Sequence, residues 1–310
     1  MNIRMLQMFV EVARQGSFSR AARTVHAAQP TVSKGVQTVE DVLGARLVER
    51  SAQGVRLTAE GEIVYARALR ILAEFEALEA EVAALHGLEK GVLRMGLPPV
   101  GSGTLFADPL MAFRQRYPGI SVQLQEAGCA SLEELVLSGE LELAVTLLPV
   151  PDTFAWLEIR DEPLMALMPP DFPLGERSSL KLDELAGSPF IWFERGFLLN
   201  ERIGNLCRHR GLVLRECLRS GQVDFIITLV ATGLGVAVLP RLELEGRALP
   251  RIRTALLDEE ELRWRAAMIW RRGAALSPAA QAWIGMLPGG AEALRKAAVP
   301  AGKIPPGRRP

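Results

Sequence analysis

One row of apolar residues divides this chain. Val64, Ala68, Ile71, Phe75, Leu78, Val82 and Leu85 recur at alternating steps of 4 and 3. A mean step of about 3.5 keeps one stripe facing a partner along a whole helix, which is the pattern of a coiled coil. Glu74, Glu76, Glu79 and Glu81 fall outside the stripe, as solvated flanks should. Thr58 can cap this helix, and Glu60 and Glu62 suit the positive end of its dipole. Residues 59–89 therefore read as a linker helix that pairs two copies of the chain, with different modules before and after it.

Charge follows the same division. Lys+Arg and Asp+Glu both number 36 in 310 residues, so the whole chain is neutral. Residues 1–58 nevertheless carry 8 basic and 4 acidic side chains, and residues 59–89 carry 2 and 7. Residues 90–287 carry 21 and 24, and residues 288–310 carry 5 and 1. A basic head, an acidic spacer, a mildly acidic body and a basic tail are separate modules. With 49% hydrophobic and 23% charged residues the chain cannot be disordered throughout, although the Gly/Pro-rich tail, 288–310, reads as disordered. Cys129, Cys207 and Cys217 form no CxxC pair and read as buried thiols in a reducing compartment. The N-terminus carries Arg4, Glu11 and Arg14, unlike a signal peptide, and no apolar run reaches the length of a membrane span. The expected location is the cytoplasm, at the nucleoid, with no membrane partner.

The head reads as three helices and a ribbon. Leu6, Phe9, Val10 and Ala13 share one helical face, and Gly16 ends that helix. Ser17 can cap a short second helix with Phe18, Ala21, Ala22 and Val25 inward. Pro30 suits the first position of a third helix, whose buried row is Val32, Val36, Val39 and Leu43. Gln29, Thr31, Ser33, Lys34, Gln37 and Thr38 fall mainly outside that row. A short helix, a tight turn and a second helix with a Gln/Thr/Ser/Lys face form a helix-turn-helix reader of double-stranded DNA. Lysine donates to guanine O6/N7, glutamine pairs with adenine, and short hydroxyls reach phosphates or base edges. Arg46–Arg50 and Val55–Thr58 flank a four-residue turn and make a wing, with Arg50 and Arg56 available for phosphates.

The run GSFSRAARTVHAAQPTVSKGVQTVEDVLGARLVERSAQGVRLTAEG resembles the N-terminal signature of the LysR-type transcriptional regulators. The resemblance implies that Gln29, Pro30, Ser33 and Lys34 approach base edges while Thr31, Arg50 and Arg56 hold the backbone. It also implies paired linker helices in an antiparallel homodimer, alone or within a homotetramer, and an operator with two half-sites. Three positions in or beside this run depart from the family, and in the body Glu142 stands where aspartate is more usual. Ala28 stands where serine is usual, removing a hydroxyl cap that is commonly worth about 1 kcal/mol. Val48 stands for phenylalanine, and Gln53 occupies a wing tip where arginine is frequent.

The body begins at Gly91 with a β-α-β-α-β order: strand 92–97, helix 104–117, strand 120–126, helix 132–138 and strand 141–147. That order predicts a parallel sheet with ligands at the C-terminal ends of its strands. The loop Pro98–Gly103 sits at such an end before a helix, where backbone N–H groups and the helix dipole favour a carboxylate or phosphate. A second α/β unit follows, with strands near 164–168, 190–193, 212–219 and 233–240 and helices near 180–185, 197–210 and 223–232. Strand 263–270 returns to the first unit, and helix 278–287 closes it. Glu259–Glu261 reads as a solvated loop, and the five tryptophans as core or lobe interface.

Two α/β lobes crossed twice make a periplasmic-binding-protein-like effector domain, with lobe I near 90–160 and 265–287 and lobe II near 161–264. The family resemblance extends this far. By that analogy Pro99, Val100, Ser102, Phe193, Arg195, Phe197, Gln222 and Val223 line an interlobe cleft for a small-molecule effector. Arg195 and the helix N-terminus suit a small carboxylate, whereas Val100, Phe193 and Phe197 suit an aromatic or neutral ligand. The fold class is thus α/β, with a winged helix-turn-helix, a linker helix and the two-lobed domain. Only His26, His86 and His209 exist, and no triad, metal cluster, cofactor motif or phosphate loop can be built from them, which argues against an enzyme. The body alone would also fit a cytoplasmic small-molecule receptor without regulatory DNA binding; the attached head favours a ligand-responsive transcriptional regulator.

Overall fold

The computed structural model describes residues 1–51, 54–84, 90–173 and 177–297, without the side chains of 50, 51, 76, 77, 79–81, 83 and 84. The chain divides into two compact units, one holding the head and the linker helix with the short segments Leu137–Glu140 and Ala275–Pro278, the other the rest of the body.

In the head, α1 (Ile3–Gln15) starts at Asn2, whose side chain accepts the Met5 N–H at 3.0 Å, and stops at Gly16 in the left-handed region. Ser17 caps α2 (Phe18–Thr24), as its position predicts. The third helix, α3 (Gln29–Leu43), begins one residue before Pro30, and Ala28 supplies no side-chain cap to it. Phe9, Val12, Ala21, Val32, Val39 and Leu47 are fully buried between these helices. α1 and α3 cross closely at Gly35, where a Cβ would lie 2.7 Å from Met8 Sδ.

The wing is β1 (Val48–Ser51) against β2 (Gly54–Leu57), antiparallel, with Glu49 opposite Arg56. Its base is held by Glu40, whose carboxylate accepts the N–H of Leu47 at 2.8 Å and of Val48 at 3.3 Å. The linker helix α4 (Ala59–Ala84) starts where Thr58 accepts the Gly61 N–H at 2.9 Å, the expected cap. Gly61 has no substitute, because its Cβ would lie 2.0 Å from the Leu47 carbonyl oxygen.

The body contains β3 (Gly91–Leu97), α5 (Ser102–Arg116), β4 (Ile120–Glu126), α6 (Cys129–Ser138), β5 (Leu143–Leu147) and β6 (Phe154–Met168). Then come β7 (Ser179–Leu180), a 3-10 turn (Leu182–Leu185), β8 (Pro189–Phe193), α7 (Leu198–Arg210), β9 (Arg215–Ser220), α8 (Val223–Ala231) and β10 (Ala237–Pro240). A second 3-10 turn (Arg241–Glu243), β11 (Arg253–Leu257), β12 (Arg263–Arg271), α9 (Pro278–Met286) and α10 (Gly290–Ala297) complete it.

The main sheet runs β4-β3-β5-β12-β6-β11-β7, with β10 also on β6. β3 is parallel to β4 and β5, as the β-α-β order predicts, but β12 and β6 enter antiparallel and make the sheet mixed. β6 is the shared element. Its residues 154–163 pair with β12 in lobe I, and residues 164–168 pair with β10 and β11 in lobe II. β8 and β9 form a parallel pair tied to lobe II by a bridge from Phe190 to Val236.

Several expectations are corrected. Tail residues 290–297 form α10, whose polar face hid a helix in a Gly/Pro-rich segment; residues 298–310 lie outside the description. Glu259 is buried rather than solvated: Arg210 donates two hydrogen bonds to it, at 2.8 and 2.7 Å, and Leu182 N–H a third at 2.9 Å. Segment 182–185 is a 3-10 turn, and β11 fills a stretch to which the sequence reading assigns no element. Trp156 is exposed, while the other four tryptophans are buried. Cys129 and Cys207 are buried, but Cys217 is exposed on β9.

Candidate nucleic-acid interface and effector cleft

The buried row of α3 turns its other side outward. Gln29, Pro30, Thr31, Lys34 and Gln37 are exposed and Ser33 is half-buried. The helix stands as a ridge between two hollows. One, of about 860 Å³, is lined by Ser33, Gln37 and residues of the wing base. The other, of about 450 Å³, is lined by Pro30, Thr31 and Lys34 together with Arg4 and Met8 of α1. A ridge of this build is what a duplex major groove admits. Arg56 is exposed on β2, whereas the side chain of Arg50 and residue Gln53 lie outside the described residues.

Two contributors were missed in the sequence. Ser19 of α2 donates its hydroxyl to Gln29 Oε1 at 3.0 Å and so orients the first side chain on the outward face of α3. Arg4 shares a hollow with Lys34 and adds charge beside it. The basic count of the head was a signal for Arg4; nothing in spacing pointed to Ser19.

The dimerisation row splits along α4. Ala68 is buried and Val64 half-buried against the head core, together with Leu69 and Leu72. Ile71, Leu78 and Val82 are exposed, as is Ile63; Phe75 is half-buried, and Leu85 lies outside the described residues.

The expected cleft residues do not converge on one site. Pro99, Gln222 and Val223 line an interlobe cavity of about 400 Å³ with Thr104, Glu126, Asp224, Glu243 and Arg247. Arg195 and Phe197 line a different cavity with Trp192 and Arg208, and the two cavities share no residue. Val100 and Phe193 are buried, and Ser102 turns its hydroxyl to the Pro98 carbonyl. Between the lobes Gly128 and Gly196 nearly touch, since a Cβ on Gly128 would lie 2.9 Å from the Gly196 carbonyl oxygen.

The N–H groups of the Pro98–Gly103 loop were expected to be free for a ligand anion. Instead the Gly101 N–H donates to Glu243 Oε1 at 2.5 Å across the lobes, so a protein carboxylate holds that place. Arg247 answers Glu243 at 3.6 Å and also pairs with Asp224. Glu243 went unnoticed because its partner is 142 residues away.

Elsewhere between the lobes, Thr146 donates to Glu133 Oε1 at 2.5 Å beside Cys129 of α6, and Arg202 of α7 lies within electrostatic reach of both α6 groups. Burial pushes the Cys129 thiol up to about 11 and raises the Glu133 carboxyl, and it draws the Arg202 guanidinium down. That thiol stays protonated and inert at neutral pH. Among the described residues no cluster of metal-ligating side chains occurs, and no helix is long and apolar enough to cross a membrane.

A winged helix-turn-helix joined through a long helix to a two-lobed ligand domain defines a ligand-responsive DNA-binding regulator of transcription. The comparisons with known proteins carry this further. Residues 3–62 match the family profile of the bacterial regulatory helix-turn-helix proteins of the lysR family, and residues 86–291 match the LysR substrate binding domain. The chain belongs to the LysR family. It is 36% identical to the HTH-type transcriptional regulator YwbI of Bacillus subtilis strain 168, over 92% of this chain and 95% of that one. It is 32% identical to the RuBisCO operon transcriptional regulator of Allochromatium vinosum, over 91% and 94% of the two chains. Its fold is similar to that of a full-length OxyR variant from Pseudomonas aeruginosa, with a TM-score of 0.75 and 26% identity over 96% and 94% of the chains.

Proposed function

We propose that this regulator acts in the cytoplasm, at the nucleoid, as a homodimer that assembles further into a homotetramer, and that it has no catalytic activity. The exposed seam of α4 joins two chains, which sets two reading heads on two operator half-sites. Gln29, Pro30, Ser33, Lys34 and Gln37 address base edges, and Thr31, Arg50 and Arg56 address phosphates. The observation that carries this reading is the polar face of α3 standing proud between two hollows, with Val32, Val36 and Val39 buried on its inner face; Leu43, expected in that row, is exposed at the end of the helix.

The effector enters the interlobe cavity beside Pro99, Gln222 and Val223 and shifts the populations of the two lobes' arrangements. A small carboxylate that sits at the N-terminus of α5 must displace Glu243 from Gly101.

Selection from a random duplex pool tests the DNA half. The purified chain is expected to enrich a sequence with two half-sites, and failure to enrich any sequence overturns it. A thermal-shift screen of metabolites tests the ligand half, because a ligand that binds only the folded state raises the melting temperature. A hit whose shift survives Gln222→Ala and Val223→Asp places the effector outside this cavity.

A further inference from the structure

The cavity that takes Arg195 and Phe197 lies wholly within lobe II, between the end of β8, the loop after it and α7, and measures about 390 Å³. Three guanidiniums, Arg195, Arg208 and Arg219, face one carboxylate, Glu201, around it. They are not equivalent. Arg219 is committed to Glu216 through two hydrogen bonds, at 2.9 and 2.6 Å, and lies over the Trp192 ring. Arg208 donates to Asn205, its neighbour on α7. Arg195 has no side-chain hydrogen bond or close ion pair among the described residues, but the Glu216 carboxylate that pairs with Arg219 lies within its electrostatic reach. Asn200 is saturated, because its amide bonds the N–H and carbonyl of Phe193 and the carbonyl of Glu194. It fixes the loop that presents Arg195.

Two aromatic side chains, Trp192 and Phe197, line the cavity. Phe197 stacks on Phe193 with centroids 4.9 Å apart and planes 5° from parallel. Gly204, in the middle of α7, opens the helix side. An interior glycine weakens a helix relative to alanine. Packing does not call for one here, because a Cβ at Gly204 would meet only the Arg208 Nη1, at 3.6 Å. What an added side chain would enter is the cavity.

We propose that this cavity is a second ligand site, separate from the interlobe cavity, for a small organic anion with a flat apolar body. Arg195 and Arg208 hold the carboxylate or phosphate by charge-assisted hydrogen bonds, and Phe197 covers the apolar face. Glu201 and Glu216 lower the net positive charge of the three arginines without cancelling it.

Titration calorimetry of the full chain tests this with phenylacetate, phenyl phosphate, inorganic phosphate and benzylamine. At least one of the two aromatic anions is expected to bind, which also tells carboxylate from phosphate. Inorganic phosphate should bind about tenfold more weakly or not at all, and benzylamine should not bind. The double variant Arg195→Ala/Arg208→Ala should lose about tenfold or more in affinity, and Gly204→Leu should abolish binding by filling the space. Gln222→Ala, in the interlobe cavity, should leave binding unchanged. Both arginines are exposed, so the double variant tests the site even where Gly204→Leu disturbs α7 in circular dichroism. The proposal fails if neither aromatic anion binds, or if benzylamine binds as well as the anions. It also fails if inorganic phosphate equals phenyl phosphate, or if Gln222→Ala abolishes binding that the double arginine variant retains.

Discussion

The head and the body carry their functional residues in opposite ways. In the head, the side chains proposed to read bases share one helix of 15 residues, which buries Val32, Val36 and Val39 on its inner face. In the body, the interlobe cavity draws on loops of both lobes, and the hydrogen bond at its edge spans 142 residues. A site on one packed helix is set when the domain folds. A site shared by two lobes is set by how they close, and a ligand can change that. The reader is therefore built for constancy and the receiver for adjustment.

The largest effect should come from breaking the head's rigidity. Gly61→Val places side-chain atoms on the Leu47 carbonyl, where even a Cβ would lie 2.0 Å away. We expect the head to lose about 3 kcal/mol or more and the chain to lose DNA binding, while the body still unfolds as its own transition in calorimetry. A single shifted transition would show that the two units are not independent. Leu78→Glu comes next. Leu78 is exposed and sits outside the head core, so a charge there should halve the sedimenting mass without melting the head.

Lys34→Ala should cost about 1–3 kcal/mol of operator binding and relax preference at one base position, whereas Arg56→Ala should weaken all DNA alike and lower the salt slope by about one. Retardation assays across a salt series separate the two. If Arg56→Ala changed base preference instead, the wing would read bases. On the body side, Glu243→Gln keeps the shape at Gly101 but removes the charge. It should alter the response to the effector and leave basal operator affinity within about twofold, since the reading face shares no residue with the cavity.

The smallest effect concerns acid. Arg210 holds the Glu259 carboxyl below its usual range, aided by the Leu182 N–H. A depressed carboxyl contributes stability above its unfolded pKa and loses it as pH falls through the folded value. The body's melting temperature should therefore drop on acidification below the ordinary carboxylate range, and Glu259→Gln should flatten that part of the curve. An unchanged slope would mean that the pair contributes nothing measurable.

Regions differed in how much of this could be read beforehand. The head was legible because helical period, capping residues and terminal glycines are local: Ser17, Gly16, Gly44 and Thr58 each act within a few positions. The body's element order was legible for the same reason. Its site was not, since Glu243 and Glu259 look like ordinary acids until folding brings Gly101 and Arg210 to them. Arg195 and Phe197 lie close to the loop Gly196 that meets Gly128, yet their side chains turn into lobe II; sequence neighbourhood does not settle direction. The 15-residue length of β6 was missed because two pairing partners, one in each lobe, extend a strand that looks short from either side.

That strand also has a mechanical meaning. Because β6 runs unbroken from lobe I into lobe II, the lobes are joined by a leaf spring rather than a swivel. Wide opening would tear ladder hydrogen bonds from β12, β10 or β11, each worth about 1 kcal/mol. Twisting along the strand axis breaks none. An effector that rotated the lobes about this strand would work against a restoring torque.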